Sequence, residues 1–269
     1  MESEQNNTGK NKRLLSLITD FGNKDYYQAK FKASVFKNCH QAEIIDVSHE
    51  IPLHDISLAA YQLKNIIQEF PNSSIHLVAV NNYYSDQPKY IAFECDGQFF
   101  IGPDNGVFSL VFPNLDQLEV FEIHGPDAFH KDASSVYLHA ISCLYHELPM
   151  AEFGSKSDEL ILKIEFKPVV TTTQLRATVI HIDHFGNVVT NLSKSTFEEA
   201  RMGRRFKLYY DPHDPLEYIS KSYGSIGVGE PLCLFNEAGL LEIAISMGNA
   251  AQLLNLKINE TIQIDFLGE

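Results

Sequence analysis

No run of apolar residues in this chain approaches the roughly 18 that a membrane-spanning helix requires, so a helical membrane protein is excluded. Basic clusters are missing as well. Only 21 Lys and Arg stand against 35 Asp and Glu, and the resulting net charge of −14 would repel a phosphate backbone. No nucleic-acid partner is expected. The four cysteines, Cys39, Cys95, Cys143 and Cys233, are far apart and form no Cys-x-x-Cys pair. That spacing builds neither a disulfide framework nor a zinc site, and it predicts free thiols in a reducing compartment. None of the eleven histidines lies in a His-Glu-x-x-His motif, and His139 and His146 are too widely spaced for adjacent helical turns. No metal site is expected. The opening stretch, 1–13, has no apolar core. It reads as a disordered tail rather than a signal or transit peptide, and with no membrane segment the expected location is cytoplasmic. Internal repeats are absent too.

What is present is a globular composition, 44% hydrophobic and 21% charged, over a length that allows one large domain or two ordinary ones. The first half alternates strand and helix. Leu14–Thr19 is a short apolar run that delivers Asp20 into a loop. Asp20 would then stand at the carboxyl end of a strand, where open α/β sheets bind ligands. Alone, it reads first as the cap of the next helix. Tyr27–Lys37 is the first helix and Glu43–Ser48 a second buried strand. Asp55 caps a helix carrying Ile56, Ala59, Ala60, Leu63, Ile66, Ile67 and Phe70 on one face. Strands follow at Ile75–Val80, Tyr90–Cys95 and Phe99–Ile101, and Asp132 caps a helix over Ala133–His146. This order predicts a mostly parallel sheet covered by helices, an α/β domain over 14–155.

Beyond a connection at 156–172 the pattern changes. Short strands at Arg176–Ile182, Val188–Asn191, Phe206–Tyr210, Leu232–Phe235, Leu241–Ile245 and Thr261–Phe266 predict an antiparallel β-barrel or sandwich over 173–269.

Five ordered stretches carry a resemblance. They are Thr19–Gly22 with Asp25, Tyr26 and Tyr27; Ile45–Pro52 with Asp55; Gly102–Gly106; His181–Asn191; and Gly239–Ala244 with Gly248–Ala251. Together they resemble the S-adenosyl-L-methionine (SAM) hydroxide adenosyltransferases, also called adenosine-forming SAM hydrolases, relatives of the fluorinases and chlorinases. The resemblance implies an N-terminal α/β domain and a C-terminal β-barrel. It also implies a homotrimer in which SAM lies between one subunit's N-terminal domain and its neighbour's C-terminal domain, with no separate cofactor. It places Asp20 on the ribose hydroxyls, which a carboxylate can grip with two hydrogen bonds. Asp25 and Asp183 would face the methionine amino group. Phe185 and Asn187 would form a C-terminal wall, and the backbone at Asn249 and Ala250 would read the adenine edge. His54 falls where halogenating relatives stack an aromatic ring, and Tyr223 is a further adenine contact. The plain alternatives are that Phe185-Gly186-Asn187 is only a hairpin turn and that Asp46 and Glu50 cap or bridge.

One loop departs from the family. Members carry Asp-Pro-Gly-Val-Gly-x-x-Arg after the third strand, and its Asp and Arg, with a later His, are taken to activate water. Here the loop is Asn81–Lys89, with Asn81 on the Asp and Pro88 on the Arg. Asn81 cannot take a proton near neutral pH, so base catalysis of typically about 10²–10⁴-fold is missing from that position. Lys89 supplies charge but not a guanidinium's fixed fork. Phe129-His130-Lys131-Asp132 resembles the family's later His loop, with Phe129 at the ligand and His130 kept as orienting or basic residue. Asp86 reads as an exposed turn residue. Halogenation fits poorly, because Tyr83 and Tyr84 would crowd a halide. The expectation is therefore SAM hydrolysis with His130, Asn81 and Lys89 as the catalytic set; a degenerate SAM or adenosine binder is the alternative.

Overall fold

The computed structural model describes residues 13–125, 132–211 and 213–268. The chain divides into two compact units between Ile164 and Glu165, inside the stretch read as a connection.

The first unit runs β1 (Leu14–Thr19), α1 (Tyr27–Asn38), β2 (Glu43–Ser48), α2 (Ile56–Ile66), β3 (Ile75–Ala79), β4 (Tyr90–Cys95), β5 (Gln98–Pro103), α3 (Val107–Val111), β6 (Val120–Ile123), α4 (Ala133–Tyr145) and β7 (Gly154–Lys156). The strand order is β2-β1-β3-β5-β4-β6-β7. Neighbours among β2, β1, β3 and β5 are parallel, while β4 and β7 run against them. Both faces of β1 and β3 are buried, which is why these runs are continuously apolar instead of alternating. Leu15, Leu17, Leu77 and Ala79 join the cluster with α1 and α4 residues Phe31, Val35, Tyr137 and Ile141. Ile18, Val78 and Val80 join the opposite cluster with Ala59, Leu63, Phe93, Phe100 and Phe108. The α/β expectation holds. β2 differs: it pairs only with β1, as the sheet's edge, and Glu43, Ile45 and Asp46 are exposed. Its apolar residues resemble those of a central strand, but only one neighbour covers it.

Arg13, read as the end of the tail, is held: its guanidinium bonds the Leu144 carbonyl and lies over the Phe99 ring, 5.6 Å from its centre. The rest of that stretch, 1–12, lies outside the described residues.

The second unit contains β8 (Val169–Val170), β9 (Gln174–Ile182), β10 (Val188–Ser193), α5 (Lys194–Arg201), β11 (Phe206–Tyr209), β12 (Pro215–Leu216), β13 (Pro231–Phe235), β14 (Leu240–Ile245), α6 (Ala250–Leu253) and β15 (Thr261–Phe266). Its antiparallel order is β12-β11-β15-β9-β10-β14-β13, with β8 added beside β9. The sheet nearly closes, because Ser220 donates to the Cys233 carbonyl at 2.7 Å just beyond β12. Leu175, Ala177, Val179, Ile262 and Ile264 fill the interior around Phe197. The barrel expectation also holds. Helix α5 carries no clear sequence signal; it buries only Phe197 and starts at Ser193, whose hydroxyl accepts the Thr196 N–H at 3.2 Å.

Candidate functional site

In the first unit the site is built where β1 and β3 end side by side. Thr19 is in register with Ala79, and the Asp20 N–H donates back to the Ala79 carbonyl. One polar relay fixes the turn beneath Asp20. The buried His49 lies 3.0 Å from Asp46 through Nε2 and 2.8 Å from the Thr19 hydroxyl through Nδ1. A carboxylate only accepts, so Nε2 carries the proton, Nδ1 accepts from the Thr19 hydroxyl, and that oxygen accepts from the Phe21 N–H. Burial opposes ionisation of Asp46, but the hydrogen bonds from Lys32 and His49 and the charge of Lys32 outweigh it and hold the carboxyl below its ordinary range. Asp46 thus bridges.

Asn81, just past β3, adopts φ of +54°, uncommon for a residue with a side chain. Its backbone is held at both ends: the N–H donates to Asp20 Oδ2 at 2.9 Å, and the carbonyl accepts from the Asn105 amide at 3.2 Å. Its side-chain Oδ1 lies 2.9 Å from Nδ1 of His54, itself at φ of +67° immediately before the Asp55 cap of α2. Asp20, Asn81 and His54 are therefore one connected group, drawn from three strand-to-helix or strand-to-loop junctions. The Gly102–Gly106 turn supplies the Asn105 that braces it, and a side chain at Gly102 would collide with the Val78 carbonyl at 2.6 Å.

The rest of the variant loop is tied down by tyrosines. Tyr137 donates to the Asn82 side chain at 2.6 Å, and the Tyr84 hydroxyl accepts the Lys89 N–H at 3.0 Å. The Lys89 ammonium, a catalytic candidate, forms an ion pair with Glu122 of β6 at 3.2 Å. The hydrogen bond and charge of Glu122 raise its pKa. Asp25 and Asp86 are exposed. Phe129 and His130 lie outside the described residues.

In the second unit the β9–β10 hairpin carries Asp183, Phe185 and Asn187. Asp183 Oδ1 accepts the N–H groups of Phe185 (2.9 Å) and Asn187 (2.8 Å), and Oδ2 accepts the Asn187 amide at 3.0 Å. Gly186 sits at φ of +84°, and a Cβ there would lie 2.1 Å from the Asn249 side chain. That closeness is used: the Gly186 carbonyl accepts from Ala251, and Asn249 caps α6 through Gln252. The hairpin and the Asn249-Ala250 corner are thus locked together. Phe185 is 74% exposed at the tip.

Sequence reasoning missed Glu242 of β14, although it lies inside one of the quoted motifs. It is only 3% exposed and accepts from the Tyr223 hydroxyl (2.8 Å) and the Asn236 amide (3.1 Å). Burial raises its pKa, and the Asp183 charge adds to that. Among the described residues no cluster of three or more His, Cys, Asp or Glu is placed to hold a metal ion.

Comparison with known proteins places this geometry. Residues 15–143 match the SAM hydroxide adenosyltransferase N-terminal domain, and residues 177–263 match the C-terminal domain. A protein of Methanocaldococcus jannaschii named (R)-S-adenosyl-L-methionine hydrolase is 29% identical over 93% of this chain and 95% of its own length. A Nocardia brasiliensis fluorinase is 20% identical over 93% of this chain and 96% of its own. Among solved structures, an uncharacterized conserved protein of Thermotoga maritima is similar with a TM-score of 0.81 and 27% identity, covering 93% of this chain and 99% of that one. With both halves of the model matched in order, this chain belongs to the SAM hydroxide adenosyltransferase family.

Proposed function

We propose that the protein hydrolyses SAM to adenosine and L-methionine by attack of water at C5′. The observation that carries this reading is the Asp20 corner: a carboxylate at the carboxyl end of β1, oriented by the Asn81 N–H through one oxygen. Such a group suits a vicinal diol, and the named hydrolase relative supports the substrate. A sulfonium leaves as a neutral thioether, so the step needs no general acid and no cofactor, and positioning supplies much of the acceleration. In the same reading His130, Phe129 and Asn81 serve the water and the ligand. The Asp183–Asn187 hairpin with Tyr223, Asn249 and Ala250 closes the site from a neighbouring subunit of a homotrimer. The exposed Phe185 supports that arrangement. Unpaired cysteines, three of them buried, support a reducing, cytoplasmic location.

A second reading rests on one observation: with Asn81 in place of the family's Asp and Lys89 paired to Glu122, the variant loop offers no carboxylate at that position and no fork-shaped cation. It makes the protein a SAM or adenosine binder without turnover. Incubation of the purified protein with SAM, with and without chloride, separates the two. Adenosine and methionine released well above spontaneous decay support hydrolysis. Binding by calorimetry without products supports the binder, and 5′-chloroadenosine would mean halogenation. Activity gained by the Asn81→Asp, Pro88→Arg double variant of an inactive protein would show the ligand pocket to be intact.

A further inference from the structure

The geometry points to His54 as the base that accepts the proton of the attacking water, with Asn81 as the residue that orients its ring. This inference rests on the hydrolase reading above. Asn81 has no proton-accepting nitrogen near neutral pH, yet its backbone is constrained more tightly than a loop residue requires. It takes a positive φ, donates to Asp20 at 2.9 Å and accepts from Asn105. Asparagine is one of the residues that adopt this left-handed conformation most readily, and the two backbone hydrogen bonds hold it there. What Asn81 aims is its amide, and that amide meets His54 Nδ1 at 2.9 Å. An amide oxygen only accepts, so Nδ1 must carry the hydrogen, and in the neutral ring the lone pair then belongs to Nε2. His54 is the second positive-φ residue of the group and is exposed, so that nitrogen is accessible.

The pairing is an asparagine–histidine dyad in which the amide selects the tautomer and the imidazole does the proton chemistry. Asp20, one hydrogen bond from Asn81, holds the ribose to which the reacting carbon is attached. The step balances without any further reactant. A water lone pair forms the O–C5′ bond as the C5′–S bond breaks. The bonding pair remains on sulfur, which becomes the neutral thioether of methionine. The water proton passes to His54 Nε2 and from there to solvent.

The test compares turnover of SAM by the full chain with that of His54→Phe, which keeps a flat ring, and His54→Ala, assayed with and without added imidazole. Thermal unfolding and adenosine binding by calorimetry check that each variant is folded. The expected result is a fall in kcat of about 10²–10⁴-fold in both variants. KM should change little, and imidazole should restore His54→Ala at least tenfold. A His54→Phe enzyme that keeps kcat within about threefold overturns the inference, because general-base removal costs far more. A loss confined to KM, with no rescue, also overturns it and makes His54 a stacking group. If the unsubstituted protein forms no adenosine, the hydrolase reading itself falls and this inference with it; that arm distinguishes the two failures.

Discussion

Two carboxylates with the same assigned task, gripping a ligand, sit in opposite situations. Asp183 is occupied by its own hairpin: three donors from residues within four positions converge on its two oxygens. Asp20 receives the Asn81 N–H, a donor 61 residues away in sequence. The first carboxylate shapes the turn that contains it, and any ligand contact comes in addition. The second is placed by the sheet, through register between β1 and β3, and keeps hydrogen-bonding capacity for a guest. Identical chemistry in a motif therefore says little about role until the donors around it are known.

The largest effect that separates the units is acid sensitivity. His76 of β3 is fully buried, 2.7 Å from the Ser16 hydroxyl and 2.9 Å from Gln98, and stacked on Phe100. Burial lowers its pKa from 6.5 to about 4, with the Gln98 hydrogen bond opposing. The unfolded chain binds this proton first on acidification, so the histidine's contribution is complete above pH 6.5 and is lost as pH falls toward 4. The difference is worth about 3 kcal/mol at most. Hydrogen exchange followed by mass spectrometry at pH 7 and pH 4.5, corrected for intrinsic rates, should show protection lost in β1 and β3 before β9 and β10. Equal loss in both units would break the contrast.

The next effect addresses the two carboxylates directly. Asp183→Ala leaves three donors without their acceptor and should cost about 2–3 kcal/mol in urea unfolding, since hydrogen bonds to charged groups are the stronger kind. Asp20→Ala should cost less than about 1 kcal/mol of stability, yet weaken adenosine binding roughly 10- to 100-fold, the equivalent of one charge-assisted contact. Calorimetry and urea titration of both variants give the four numbers. The comparison collapses if Asp20→Ala proves the more destabilising, because Asp20 would then also be architectural.

Much of this was legible in the sequence, for identifiable reasons. Central strands such as Leu14–Thr19 and Ile75–Ala79 are apolar on both faces, and the Asp55 and Asp132 caps accept from Leu58 and Ser134 as their positions imply. The edge position of β2 was not legible, because composition reports how apolar a strand is and not how many neighbours it has. Helix α5 was missed because a surface helix burying one phenylalanine has almost no periodic signal. In the site, Asp20 and Asp183 could be found as motif residues. The His54–Asn81 contact could not: it spans 27 positions and joins two residues whose backbones both take positive φ. Glu242 escaped for a related reason. Within an otherwise apolar strand its partners are Asn236, from the turn just before it, and Tyr223, 19 positions away.

Tyr223 offers the smallest and most discriminating test, because it is both a ligand candidate and the donor to Glu242. Burial pushes the Glu242 carboxyl above its ordinary 4.5, and the hydrogen bonds from Tyr223 and Asn236 hold it back. Tyr223→Phe removes one of those donors from a carboxylate that is almost wholly buried, and the expected cost at pH 7 is about 1 kcal/mol. A carboxyl whose folded pKa is raised favours the folded state when protonated and opposes it when ionised. The penalty of Tyr223→Phe should accordingly shrink as pH falls through the raised folded-state range above 4.5, and reach its minimum below about 4.5, where Glu242 is protonated in folded and unfolded chains alike. Urea unfolding of the variant and the unsubstituted protein at pH 7 and pH 4 measures this, with adenosine binding recorded alongside. A penalty equal at both pH values would show that Tyr223 stabilises through packing of its ring rather than through its hydrogen bond to Glu242.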